Sequence, residues 1–188
     1  SLSVTITGPS SICVGQTATL TGNGGATYTW NTGATSSSLA LTPSVTTTYS
    51  IIGSSGTCSN TNVKTVTVNP TPTVSVSGSL SLCAGQTVTL TASGANTYSW
   101  SNGATNATAA LSPTLPTSYT ITGTNTLGCS NATNIIVMAN PLPNIGITQS
   151  AGTVCVNTPI TFTASGANTY TWSNAANTNT TSFTPTAS

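Results

Sequence analysis

The 188-residue chain has no Asp, no Glu, no His and no Arg, and its one charged side chain is Lys64. That absence removes most enzyme chemistry. General acid–base work needs a group that titrates near the working pH, and His, Asp and Glu supply nearly all of them. Ser–His–Asp and Cys–His nucleophile systems cannot be assembled from these residues. Calcium and magnesium sites are built on carboxylates, and zinc sites on His, Cys and carboxylates, so neither a catalytic residue, a metal ligand nor a cofactor site is expected. Nucleic acid and anionic lipid call for a basic patch, which one lysine does not make. Long apolar runs are missing too: no stretch approaches ~18 consecutive apolar residues, so no membrane insertion is expected. Helical periodicity is absent throughout.

What is present is Thr, Ser and Asn, interleaved with apolar residues. Hydrophobic residues make up only 36% of the chain, yet the charge that usually accompanies disorder is missing. Runs such as Thr17-Ala18-Thr19-Leu20-Thr21 and Thr87-Val88-Thr89-Leu90-Thr91 alternate strictly, which marks half-buried strands with β-branched Thr on the solvent side. Five cysteines at regular positions in a turn-rich chain point to disulfides and an oxidising, extracytoplasmic location. Ser1 opens directly on a strand pattern, so an export signal is expected to lie outside this sequence.

The chain repeats itself. Cys13-Val14-Gly15-Gln16-Thr17 returns as Cys83-Ala84-Gly85-Gln86-Thr87 and, more weakly, as Cys155-Val156-Asn157-Thr158-Pro159. Tyr28-Thr29-Trp30 returns as Tyr98-Ser99-Trp100 and Tyr170-Thr171-Trp172, with 17 positions from Cys to Trp in every copy. Trp to the next Tyr is 19 positions in both full copies, reaching Tyr49 and Tyr119, and a second cysteine follows at Cys58 and Cys129. The period is 70 to 72 residues. Asn69-Pro70-Thr71-Pro72 and Asn140-Pro141-Leu142-Pro143 divide the copies, and paired prolines hold such joints extended and semi-rigid. Repeat 1 is expected over 1–70, repeat 2 over 71–142 and repeat 3 over 143–188.

In repeat 1 the pattern predicts strands near residues 4–7, 17–22, 27–30, 38–41, 47–52 and 64–68, separated by Gly-rich turns. Six or seven short strands in about 70 residues imply an all-β sandwich. The expected core is Val4, Ile6, Leu20, Trp30, Leu41, Tyr49, Ile51, Val66 and Val68, with their counterparts in repeat 2. Tyr28, Tyr98, Tyr119, Trp100, Tyr170 and Trp172 join it as structural core positions. Repeat 3 carries Cys155 and Trp172 but neither a later Tyr nor a second Cys. It is expected to lack its last two strands, which the continuing chain or another molecule would supply, continuation being the simpler.

C-x-G-Q-T-x-T-L-T, then Y-x-W-x-x-G-A-T, then T-x-x-Y-x-I-x-G and G-C-S-N resembles the immunoglobulin-like and PKD-like repeats of Bacteroidota extracellular surface proteins. The resemblance covers the whole chain, and repeat 2 carries every element but the Thr three before its Tyr, where Pro116 stands. It implies tandem immunoglobulin-like β-sandwich domains in a linear array, of the kind found in long stalks and adhesins. PKD copies often carry a W-x-F-G-D-G turn; Asn31-Thr32-Gly33 and Asn102-Gly103 stand there instead, so immunoglobulin-like is the closer description.

Two disulfide patterns remain open. One closes each repeat, Cys13–Cys58 and Cys83–Cys129, leaving Cys155 over. The other staples neighbours: immunoglobulin topology puts Cys13 and Cys58 at opposite ends of a domain, so Cys13 would meet Cys129 of the next repeat. In that pattern Cys58, Cys83 and Cys155 all look to neighbouring repeats. The Tyr-x-Trp pairs invite a sugar-stacking reading at Trp30, Trp100 and Trp172, but a Trp at fixed distance from a Cys in a central strand belongs more naturally to a sandwich core. Lys64 lacks the acidic partner that isopeptide chemistry needs and reads as a solvated strand lysine. The sequons at Asn106, Asn131 and Asn179 read as coincidences of a Thr- and Asn-rich composition.

The chain is therefore expected to be a structural segment of an extracellular filament or stalk-like surface adhesin. Its expected partners are copies of itself, neighbouring repeats in a polymer, and glycans or surfaces. The alternative is a non-catalytic spacer or carbohydrate-binding module of a large secreted enzyme.

Overall fold

The computed structural model describes residues 1–186. Every element in it is a strand, and the fold is an immunoglobulin-like β-sandwich used repeatedly. Repeat 1 forms β1 (Thr5–Thr7), β2 (Ser11–Cys13), β3 (Ala18–Asn23), β4 (Thr27–Trp30), β5 (Ser38–Leu41), β6 (Thr47–Ser55) and β7 (Cys58–Asn69). They make a three-stranded sheet, β1-β3-β5, and a four-stranded sheet, β2-β7-β6-β4. Repeat 2 copies this with β8 (Ser75–Ser77), β9 (Ser81–Cys83), β10 (Val88–Ser93), β11 (Thr97–Trp100), β12 (Thr108–Leu111), β13 (Thr117–Thr124) and β14 (Ser130–Asn140). Its sheets are β8-β10-β12 and β9-β14-β13-β11.

Alternation decides which side chains turn inward. In β3, Ala18 and Leu20 are fully buried while Thr19 faces water; in β6, Tyr49 and Ile51 are buried and Ser50 and Ile52 point away. The core of repeat 1 draws on both sheets, with Val4, Ala18 and Leu20 against Ile12, Trp30, Tyr49, Ile51 and Val66. Repeat 2 gathers Val74, Leu90, Ala92, Trp100, Ala109, Leu111, Ile121 and Val137 in the same way. Ile6, Leu41 and Val68 are only half-buried, contrary to expectation. Ile6 and Leu41 lie on the edge strands β1 and β5, and Val68 near the end of β7, where less protein covers them.

Two elements differ from the sequence-based expectation. The strand β2 is new: at Gly8-Pro9 the chain leaves one sheet, and Ser11–Cys13 then pairs in parallel with the end of β7. Three residues are too few to show a period. The strand β7 also begins six residues earlier than expected, at Cys58, because polar Ser59 to Asn62 pair across to β6.

Repeat 3 departs further. It forms only β15 (Gly146–Gln149), β16 (Ile160–Ser165) and β17 (Thr180–Phe183), a counterpart of the three-stranded sheet alone. The expectation was a sandwich short of its last two strands; among the described residues the whole second sheet is missing. The reason is pairing. In repeat 2, β11 bonds to β13 and β9 bonds to β14. Without counterparts of β13 and β14, the segment holding Tyr170 and Trp172 and the segment ending at Cys155 have nothing to pair with. The face that Tyr119, Ile121 and Val137 help to cover in repeat 2 is left open here, with a cavity of about 410 Å³ lined by Ile147, Phe162, Trp172 and Phe183.

The turn after each Trp is shared by all three copies. The Trp30 N–H donates to Ala34 O at 2.8 Å and the Gly33 N–H to Trp30 O at 2.9 Å, which requires a left-handed residue at Gly33 (φ 87°). Gly103 (φ 90°) serves repeat 2, while Ala175 (φ 64°) occupies the position in repeat 3. Nothing lies within 4 Å of a Cβ placed on Gly103, so Gly103→Ala is expected to cost only the backbone penalty, about 1 kcal/mol. Urea unfolding of the variant measures it, and a loss of several kcal/mol would show a packing role not visible in the fold.

Candidate functional site

The site begins with two strand ends. Cys13 closes β2 and sits beside Asn69, the last residue of β7. Cys58 opens that same 12-residue strand. At ~3.3 Å per residue the two cysteines are about 36 Å apart, whereas a disulfide needs Cα atoms within about 7 Å. The geometry is the same in repeat 2, where Cys83 sits beside Asn140 at the end of β14 and Cys129 immediately precedes its start. The within-repeat pairings Cys13–Cys58 and Cys83–Cys129 are therefore not formed.

The structure instead bonds Cys13 to Cys129, with Cα atoms 5.5 Å apart and a separation of 116 positions in sequence. The bond crosses the joint from repeat 1 to repeat 2. Cys58, Cys83 and Cys155 carry free, exposed thiols.

Hydrogen bonds organise the joint around the staple. Prolines offer carbonyls but no N–H, so at Pro70 and Pro72 the linker can be held only through its acceptors. Asn125 Nδ2 donates to Pro70 O at 2.9 Å, and Asn131 Nδ2 donates to Pro72 O at 3.1 Å. The Asn125 Oδ1 in turn accepts the N–H groups of Leu127 and Cys129, both at 3.0 Å, which shapes the hairpin that presents Cys129. Cys129 is fully buried, and its Sγ lies 3.9 Å from Asn69 O. Asn131 belongs to a Cys-Ser-Asn triplet that repeat 1 also carries, and Asn60 Nδ2 donates to Leu2 O at 2.8 Å in the equivalent position. The triplet was visible in the sequence; Asn125 has no counterpart in the shorter hairpin of repeat 1 and was not singled out.

The aromatic positions divide by what covers them. Trp30 and Trp100 are each 2% exposed, with indole N–H groups donating at 2.9 Å to Ser36 O and Asn106 O. Trp172 keeps the same bond, to Thr178 O at 2.8 Å, but is only partly covered because the second sheet is missing above it. Tyr49 is buried, and Tyr119 is half-buried on the corresponding strand. Tyr28, Tyr98 and Tyr170 are half-buried rather than core. Their hydroxyls accept the N–H of Gly25, Ala95 and Ala167 at 2.9 Å, so these rings brace the turn before their own strand and must keep one end at the surface.

Lys64 Nζ donates to Ser10 Oγ at 3.4 Å. No cluster of three or more His, Cys, Asp or Glu side chains occurs among the described residues. Asn131, one of the sequon residues, already spends both polar atoms on the backbone of Pro72 and Ala132.

No family model matches the chain, and no curated protein matches it. Among solved structures it is similar to an amphioxus immunoglobulin-type molecule, IgVJ-C2, with 13% identity, 68% of this chain and 99% of that one covered, and a TM-score of 0.32. It is also similar to a Ca2+-stabilised ice-binding adhesin of an Antarctic bacterium, with 15% identity, 87% and 57% covered, and a TM-score of 0.37. A 1.5-MDa bacterial ice-binding adhesin gives 14% identity, 88% and 76% covered, and a TM-score of 0.35.

Proposed function

We propose that the chain is a tension-bearing segment of an extracellular filament or stalk-like surface adhesin, with residues 1–70, 71–142 and 143–188 as its successive units. The observation that carries this reading is the staple: Cys13 and Cys129 join two repeats across a proline joint rather than closing either one. A bond so placed adds little to one sandwich and much to a connection between two. Disulfides persist outside the cytoplasm, which suits a surface location. The partners in this reading are further repeats of the same pattern, with the far end of the filament meeting a glycan or a surface. Trp30 and Trp100, buried in their own cores, offer no stacking platform to a sugar.

Electron microscopy of the native material tests the proposal. Thin unbranched fibres with a beaded repeat support it, and dispersed compact particles would overturn it.

The near absence of charge gives the reading a second, cheap test. With no carboxylate or imidazole side chain, folding takes up no side-chain protons between about pH 4.5 and 7. Screening likewise has almost nothing to act on. The urea midpoint is expected to stay level across that pH window and to show no loss as salt rises. A midpoint that falls with acid would mean that the composition argument misses a coupled group.

A further inference from the structure

We propose that Cys58 and Cys83 are open halves of the coupling already closed between Cys13 and Cys129. Cys58 bonds the strand-end cysteine of a repeat docked before it, and Cys83 bonds the hairpin cysteine of a repeat docked after it. The partner in both cases is another repeat of this same pattern.

The cysteines fall into two classes by position. Cys13 and Cys83 end β2 and β9, each beside the Asn that precedes a proline joint. The bonds that hold them recur: Val14 N–H donates to Asn69 O at 3.0 Å and Ala84 N–H to Asn140 O at 2.7 Å. Gln16 and Gln86 N–H each donate to the cysteine carbonyl at 3.0 Å, and Thr158 does the same to Cys155 at 3.1 Å. Cys58 and Cys129 form the hairpin class, each directly before a serine that pairs across the hairpin, Ser59 with Ser54 and Ser130 with Thr124. Asn60 on Leu2 O and Asn131 on Pro72 O show that the entering chain takes the same path into both repeats. A strand-end cysteine and a hairpin cysteine of one repeat lie a whole strand apart, so each must look outward, and in opposite directions.

Coupling of unlike classes is head-to-tail and does not close on itself, so it sets a direction of growth.

Closing such a bond removes two electrons and two protons from two thiols. With a small-molecule disulfide as oxidant, the Cys58 thiolate attacks it and releases one thiol. The partner thiolate then attacks the Cys58 sulfur of the mixed disulfide and releases the second.

The test uses the full chain, concentrated in a buffer of reduced and oxidised glutathione, with intermolecular disulfides mapped by mass spectrometry of unreduced peptides. Bonds of Cys58 to Cys83 or Cys155 are expected to exceed Cys58–Cys58 and Cys83–Cys83 bonds by roughly tenfold or more, because docking concentrates only the unlike pair. The exposed position of Cys58 makes Cys58→Ser a mild change, and this variant is expected to lose roughly nine-tenths or more of the linked oligomers. Equal yields of like and unlike pairs, an oligomer yield unchanged by Cys58→Ser, or no intermolecular bond at all would each overturn the proposal. It rests on the joint and not on the filament reading: fibres can be seen while this mapping fails, and the reverse.

Discussion

Trp100→Ala is expected to destabilise repeat 2 by about 3–5 kcal/mol, enough to leave it marginal or unfolded. The ring is 2% exposed in a core shared with Leu90, Leu111, Ile121 and Val137, which come from both sheets and cannot all move to fill the space. The substitution also strips Asn106 O of the indole N–H that meets it at 2.9 Å. Trp172 provides the control within the same molecule. It has the same local turn and the same bond, to Thr178 O at 2.8 Å, but one side of its ring faces a cavity. Trp172→Ala is therefore expected to cost much less. Urea unfolding followed by circular dichroism measures both, and equal losses would mean that the second sheet contributes little to the burial of these rings.

The second large effect is mechanical. Pulled from its ends with the disulfide closed, the chain passes tension from Cys13 straight to Cys129, 116 positions on, and the stretch between them is bypassed. A fully extended chain spans ~3.3–3.6 Å per residue, so reduction is expected to free about 400 Å of hidden length. Single-molecule extension of the oxidised chain should show only the short steps of β1, β2 and β14, which lie outside the loop, and the full-length steps of repeats 1 and 2 should appear once a reductant is added. Cys129→Ser should give the reduced trace under either condition. If the oxidised chain already shows both steps, the staple does not carry the tension. Folding stability of each sandwich should change far less, because neither core contains the bond as a closure of its own loop.

Much of the fold was legible in the residues, for physical reasons. Alternation in segments such as Thr17 to Gly22 marks a strand with one wet face, and the equal spacing of Cys, Trp and Tyr marks the same sandwich twice. The signal failed where pairing, not pattern, decides the state. Ser11–Cys13 is too short to show a period and becomes a strand because the end of β7 is there to receive it. Thr169 to Trp172 has the same alternation as Thr27–Trp30 yet forms no strand, since nothing lies beside it. Alternation states which face would be buried; it does not supply the neighbour.

The site was half legible. The cysteines stood out by number and spacing, and the topological distance between strand end and hairpin was the right ground for doubting a bond within one repeat. Choosing the partner required knowing that Asn69 and Cys129 meet across the joint, which depends on Asn125 and Asn131 gripping the carbonyls of Pro70 and Pro72. Asn131 stood out in the repeated Cys-Ser-Asn triplet, but nothing in an Asn-rich sequence distinguishes Asn125 from the others. The aromatic positions were over-assigned to the core for a related reason: Tyr28, Tyr98 and Tyr170 alternate with the tryptophans as core residues should, but their hydroxyls hold a turn at the rim.

The reach of the staple has a consequence for damage. A protease that cuts one peptide bond anywhere between Cys13 and Cys129 leaves two fragments still tied by sulfur, so the strand is nicked but not severed. The loop spans 116 residues while the repeat advances by 70 to 72, so where every joint carries the same bond, successive loops overlap. No interior position is then outside a loop, and three cuts, one in each of three consecutive stretches between cysteines, are needed before the thread parts. A fibre made this way ages by accumulating nicks rather than by breaking, and the chance that it has parted rises with the cube of exposure, not in proportion to it.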